Sequence, residues 1–149
     1  MLQTIVFAYD GSTECRNALE EGIALATRFN ATCHLLAVIP PPPALAMAAG
    51  PLSEGLMESE NNSMNQVLEE GVARLRAAGL EATGAIRTWE EPNEAIVHFA
   101  SEVSADLVIV GHRRCSAFAR WWRGSSAHSL LDELPCSLFV SMPRSETSK

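Results

Sequence analysis

The chain has 149 residues, 47% of them hydrophobic, and its 18 acidic and 11 basic side chains give a formal net charge of −7. This length and composition fit one globular domain. The negative charge argues against general nucleic-acid binding, which depends on cationic contacts with phosphates. No stretch reaches the ~20 apolar residues of a membrane span, and no signal peptide is evident at the first residues. Four cysteines without a CxxC pair indicate free thiols in a reducing compartment, so we expect a cytoplasmic protein.

Apolar strand patterns alternate with helical three- and four-residue repeats along the whole chain. In chain order the predicted elements are a strand at 2–9, a helix at 13–29, a strand at 32–39, a proline-rich loop at 40–55, a helix at roughly 57–78, a strand at 81–88, a helix from Pro92 to about Ser104, a strand at 106–111, a helix from Ser125 to about Leu134 and a strand at 136–142.

Strict alternation of apolar strands and helices predicts a parallel sheet with helices on both faces. Ligands of such sheets bind at the carboxyl ends of the strands, where the strand order reverses. Asp10 and Gly11 end the first strand, and Gly111 ends the fourth. If these two strands are neighbours, their ends form one crevice.

Positive charge is concentrated in the loop that follows the fourth strand. This loop contains Arg113, Arg114, Arg120 and Arg123, and no acidic residue occurs between Asp106 and Asp132. The loop runs into a predicted helix start at Gly124, Ser125 and Ser126. Because the N-terminus of a helix attracts anions, the arrangement resembles a phosphate pocket.

The signatures of several other nucleotide-binding folds are missing. The sequence contains no GxxxxGK[ST] phosphate loop and no GxGxxG dinucleotide motif. A phospho-receiver domain needs paired acids after its first strand, but only Asp10 occurs there. A hydroxyl- and glycine-rich loop of the flavodoxin type is also missing after that strand.

Three segments resemble the universal stress protein family: IVFAYDGSTECRNAL, PNEAIVHFASEVSADLVIVGHR and GSSAHSLLDELPCSLFV. The resemblance implies a single three-layer α/β domain over residues 1–143. It also implies a five-stranded parallel sheet of order 3-2-1-4-5 with helices on both faces, similar to the adenine nucleotide alpha hydrolases. Residues 144–149, RSETSK, are predicted to be a disordered tail.

The resemblance also implies a site for ATP or another adenine nucleotide, with Mg²⁺ bound only together with the nucleotide. The family's phosphate signature is a glycine, two residues, a second glycine, nine residues, then Gly-Ser or Gly-Thr; Gly111, Arg114 and Gly124-Ser125 occupy this spacing. By position, Asp10 would contact the ribose or the adenine and the backbone of Val38 the adenine edge. Backbone amides would contact the phosphates at Gly111, Gly124, Ser125 and Ser126.

Three of the candidate site residues have more than one interpretation. Arg114 replaces the second glycine of the signature, where a side chain costs about 1–2 kcal/mol if the backbone needs a positive φ. Arg113 and Arg114 either clamp the phosphates or lie in a solvated loop, or Arg114 fills the phosphate site itself. Asp10 either binds the ribose or caps the helix that starts near Ser12.

The sequence supports one leading function and two alternatives. The leading hypothesis is a small stress-response regulator that binds an adenine nucleotide. The first alternative is an interaction protein of the same family with an empty pocket. A weak ATPase is disfavoured, because phosphoryl transfer needs a metal held by acids. In the family's strand order, residues 136–142 form an apolar edge strand, which predicts a homodimer through that strand.

Overall fold

The computed structural model describes residues 1–42, 44, 48, 50–112 and 130–143. In chain order its elements are β1 (Thr4–Ala8), α1 (Thr13–Phe29), β2 (Thr32–Ile39), α2 (Pro51–Ala77), β3 (Ala82–Thr88), α3 (Pro92–Glu102), β4 (Leu107–Gly111) and β5 (Ser137–Ser141). Residues 130–133 are also helical and precede β5. Among the described residues, no helix is long and apolar enough to cross a membrane.

All five strands are parallel, and their order is β3-β2-β1-β4-β5. This confirms the predicted fold class and strand order. Ala8 pairs with Leu36 of β2, and Phe7 pairs with Ile109 of β4. The predicted adjacency of the first and fourth strands is therefore also confirmed, and the carboxyl ends of β1, β2 and β4 lie side by side.

The bounds of α1 match the prediction, and a capping residue defines each of its two ends. At its start, the Ser12 hydroxyl oxygen accepts a hydrogen bond from the Cys15 amide at 3.2 Å. At its end, Asn30 adopts a left-handed conformation with φ of 51°, and its amide donates to the Thr27 carbonyl at 3.3 Å. Such caps satisfy backbone groups that have no partner within the helix.

The start of α2 differs from the prediction. The helix begins at Pro51, so residues 51–55 are helical and do not belong to the predicted loop. Proline suits the first turn of a helix because no N–H is needed there and its fixed φ is helical. Gly50, with φ of 73°, leads the chain into this turn. A loop that continues through every proline is therefore the wrong prediction at Pro51, where the helix begins.

Alternating strand residues cover the two faces of the sheet. Phe7, Leu35 and Ile109 belong to a core beneath α1 and α2, whereas Val6 and Leu36 belong to a second core with α3. A Cβ atom added at Gly22 of α1 would overlap the ring of Phe7. The absence of a side chain there lets α1 lie close to the sheet.

Candidate functional site

Asp10 follows β1, and its carboxylate stabilises the start of α1. Its Oδ1 accepts a hydrogen bond from the Ser12 amide at 2.8 Å. This is the local turn that aspartate forms with the backbone two residues on. Ser12, and not Asp10, is the N-cap of the helix. Asp10 is half-buried, and its position just beyond β1 places it at the edge of the crevice.

Gly11 brings α2 over the end of β1. Its φ of 80° favours glycine, and an added Cβ atom would lie 2.6 Å from Cγ1 of Val67 on α2. A side chain at this position would therefore strain the backbone and push α2 away from the sheet. The Asp10-Gly11 turn and Val67 consequently form one packed corner of the crevice.

The backbone of Val38 faces the same corner. The carbonyl of Leu36 accepts from the Tyr9 amide on the β1 side, and the carbonyl of Ile39 accepts from the Trp89 amide on the β3 side. Backbone groups of successive strand residues point to alternate neighbours, so those of Val38 point towards β1. Because β1 ends at Ala8, they point beyond the strand into the crevice.

Gly111 ends β4 against the first turn of α1. A Cβ atom there would lie 2.7 Å from the carbonyl oxygen of Glu14 and 3.2 Å from the backbone nitrogen of Cys15. These are backbone atoms, which cannot move aside as a flexible side chain can. Close packing of strand and helix therefore explains a glycine at this position, whatever ligand binds nearby.

A cavity of about 370 Å³ lies between the end of β2 and the N-terminal half of α2. On the strand side it is lined by Val38, Ile39 and Pro40. On the helix side it is lined by Ser59, Glu60, Ser63, Met64 and Val67. Its size falls in the range of small-molecule sites. Val38 and Val67 connect it to the Asp10-Gly11 corner.

A second cavity, of about 530 Å³, lies between α1 and the ends of β4 and β5. Its lining includes Glu14, Glu20, Glu21 and His112. Glu20 is already bound to Nε of Arg74 at 2.7 Å. The glutamates oppose an anion, so phosphate binding on this side would need cations from another part of the chain.

The Cys15 thiol and the Tyr9 hydroxyl, both buried at this edge of the sheet, are poor nucleophiles. Burial, with the nearby charge of Asp10, raises the pKa of the Cys15 thiol to about 12. Burial also raises the pKa of the Tyr9 hydroxyl. Cys15 is therefore a protonated, unreactive thiol at neutral pH. In the part of the chain that the structure describes, no group of three His, Cys, Asp or Glu side chains is arranged to hold a metal ion.

The predicted phosphate-binding residues fall outside the described ranges. These residues are Arg113, Arg114, Gly124, Ser125 and Ser126. Of the predicted site residues, the structure places Asp10, Val38 and Gly111, and it brings all three to the same edge of the sheet. Their roles towards a ligand stay predictions.

Sequence reasoning missed the helical wall of the smaller cavity. Ser59, Ser63 and Val67 recur at four-residue intervals and therefore share one face of α2. That spacing was visible in the sequence. What it did not reveal is that this face overhangs β2, because the packing of α2 on the sheet depends on contacts distant in the chain.

The protein is a small parallel α/β domain, a fold class in which ligands bind at the carboxyl ends of the strands. A sequence model of the universal stress protein family matches residues 1–141. The chain therefore belongs to the universal stress protein family, which confirms the resemblance.

Individual proteins are similar to this chain in sequence or in fold. A universal stress protein of Thermus aquaticus is 28% identical over 94% of this chain and 98% of its own. A universal stress protein solved in complex with cAMP has a TM-score of 0.70 at 23% identity, covering 95% of this chain and 97% of that one. A family member from Arabidopsis thaliana with AMP bound has a TM-score of 0.68 at 19% identity, covering 99% and 95%.

Proposed function

We propose that this protein binds an adenine nucleotide in the crevice beside β1 and acts as a cytoplasmic stress-response regulator. One observation carries the proposal. The cavity between β2 and α2 lies at the point where the backbone of Val38 extends beyond β1, and its lining residue Val67 packs against Gly11, next to Asp10. A planar base fits between the apolar strand side and the mixed polar and apolar helix side, and the backbone of Val38 offers it a donor and an acceptor.

Each part of the nucleotide has a proposed contact. The base lies in the cavity against Val38, and the ribose lies beside Asp10. The phosphates extend towards Gly111, where Arg113, Arg114 and the amides at 124–126 would bind them. Mg²⁺ would enter only with the nucleotide. The relatives solved with cAMP and with AMP support an adenine nucleotide as the ligand class.

We propose binding without turnover. Phosphoryl transfer needs a metal held by acids and a group that positions the nucleophile. Asp10, the carboxylate at the crevice corner, does not supply both by itself. Incubation with ATP and Mg²⁺ should release phosphate far more slowly than about one turnover per second. Release at that rate or faster would identify an enzyme.

Arg114 provides the decisive variant for nucleotide binding. We expect the wild type to bind ATP in a calorimetric titration and Arg114→Gly to bind it more weakly, by about 1.5–3 kcal/mol for a lost charge-assisted bond. Arg28→Gln is the matched control, because Arg28 lies in the last turn of α1, away from the crevice. Tighter binding by Arg114→Gly would show that the arginine blocks the phosphate site.

The competing function is an interaction protein with an empty pocket. The observation that favours it is an apolar edge strand, since Phe139 of β5 is 37% exposed. Lack of ATP and AMP binding by both wild type and Arg114→Gly would support this alternative and contradict our proposal.

A further inference from the structure

We infer that Glu60 of α2 selects the base, favouring one that presents an amino group to it over one that presents a carbonyl. The inference rests on the proposed nucleotide site and deepens it. It assigns a specificity-determining role to the helical wall of the cavity between β2 and α2.

The position of Glu60 follows from the geometry of α2. Val67, which packs beside Gly11, marks the level at which β1 ends. Glu60 precedes Val67 by two helical turns on the same face, so it lies about 10 Å further along the helix axis. Both residues line the cavity. Glu60 therefore lies at the outer part of the cavity, opposite the strand end at Pro40.

Glu60 is the one charged side chain among the described residues that line this cavity. Its exposed carboxylate takes part in none of the ion pairs between described residues. Its neighbours on this wall are the hydroxyls of Ser59 and Ser63 and the apolar side chains of Met64 and Val67. A ligand that enters the cavity thus meets a hydrogen-bond acceptor that is not engaged in any of these ion pairs.

The chemistry of a carboxylate determines what it recognises. An ionised carboxylate only accepts hydrogen bonds. The 6-amino group of adenine donates such a bond, whereas the 6-oxo group of hypoxanthine places a second acceptor in the same position. The serine hydroxyls donate or accept and so tolerate either base. Discrimination on this wall therefore falls to Glu60.

The same charge also orients the ligand. A phosphate group is repelled by Glu60, so the outer cavity suits the uncharged base better than the phosphates. Base selection and ligand orientation thus come from one side chain.

The test compares AMP with inosine monophosphate, which carry a 6-amino and a 6-oxo group on the same scaffold. We expect the wild type to bind AMP more tightly, and Glu60→Gln to reduce the affinity ratio by about tenfold, the size of one charge-assisted hydrogen bond at an exposed site. Glutamine donates as well as accepts, so it accommodates the 6-oxo group. The Val38 backbone is unchanged in this variant, and any selectivity it supplies persists.

Glu58→Gln is the matched control. Glu58 is exposed on the same helix and does not line the cavity, so its substitution removes the same charge and should leave the ratio unchanged. An unchanged ratio in Glu60→Gln, or an equal fall in both variants, would overturn the inference while the nucleotide site stands. Failure of the wild type to bind either nucleotide would overturn both the site and the inference.

Discussion

Gly111 is a residue of the family signature, and the packing of the fold alone also requires a glycine at this position. Its position in the family signature predicts a contact with phosphate, because a glycine lets the protein backbone approach the phosphate closely. The structure adds that a Cβ atom there would collide with the backbone of Glu14, 2.7 Å away. The glycine is therefore required for β4 and α1 to pack, and a variant at this position would lose stability even without ligand.

Gly111→Ala should lower the free energy of unfolding by about 1–3 kcal/mol, the usual cost of overpacking. Urea denaturation of the nucleotide-free protein measures this directly. Gly84→Ala is the control, because a Cβ atom at this β3 position would meet Cγ2 of Val72 at 3.4 Å, an ordinary contact. Equal losses in the two variants would contradict the packing argument.

Asp10 and Val38 differ in how far the sequence could predict them. Asp10 was recognisable from its position at the end of an apolar strand, and its bond to the Ser12 amide is local. The role that we propose for Val38 rests on its backbone, so the identity of its side chain carries no signal. It was assigned only through the family resemblance, and the hydrogen bonds of its neighbours Leu36 and Ile39 now define its direction.

At the scale of the elements, α1 and α2 are joined by an ion pair above the sheet. Nε and Nη2 of Arg74 donate to the two carboxylate oxygens of Glu20, each at 2.7 Å. The two side chains are 47% and 53% exposed. Water and salt screen the attraction between such exposed charges. The pair therefore adds only a little to the free energy of unfolding despite its good geometry.

Glu20→Gln should therefore reduce the free energy of unfolding by at most about 1 kcal/mol. The reduction should shrink in 1 M salt, which screens exposed charges. Glu70→Gln is the comparison, because Glu70 approaches Arg16 only to 4.0 Å and both side chains are more exposed. A larger effect at Glu70 than at Glu20, measured by chemical denaturation, would contradict this ranking.

At the scale of the whole molecule, β5 forms one edge of the sheet and leaves apolar surface exposed. Phe139 is 37% exposed and Met142, just beyond the strand, is 57% exposed. An apolar edge strand is prone to pair with another chain. Pairing with β5 of a second copy produces a closed two-fold contact, so the homodimer through residues 136–142 stays our prediction.

Light scattering at micromolar concentration should give twice the mass of one chain for the wild type and the mass of one chain for Phe139→Lys. A charge at this position would be buried without a partner in the dimer. Thr88→Lys, at an exposed position on the opposite edge strand β3, should leave the dimer intact. A monomeric wild type, or a dimer lost only in Thr88→Lys, would refute the assignment of β5 as the interface.

The sequence by itself determined the order and type of the elements, the parallel α/β class and Asp10 at the end of β1. These follow from local periodicity, caps and turn residues. Only the tertiary structure decided that α2 overhangs β2, that Gly111 meets the backbone of α1 and that Glu60 lines a cavity. These features depend on contacts between residues far apart in the chain, and such contacts leave no periodic pattern in the sequence.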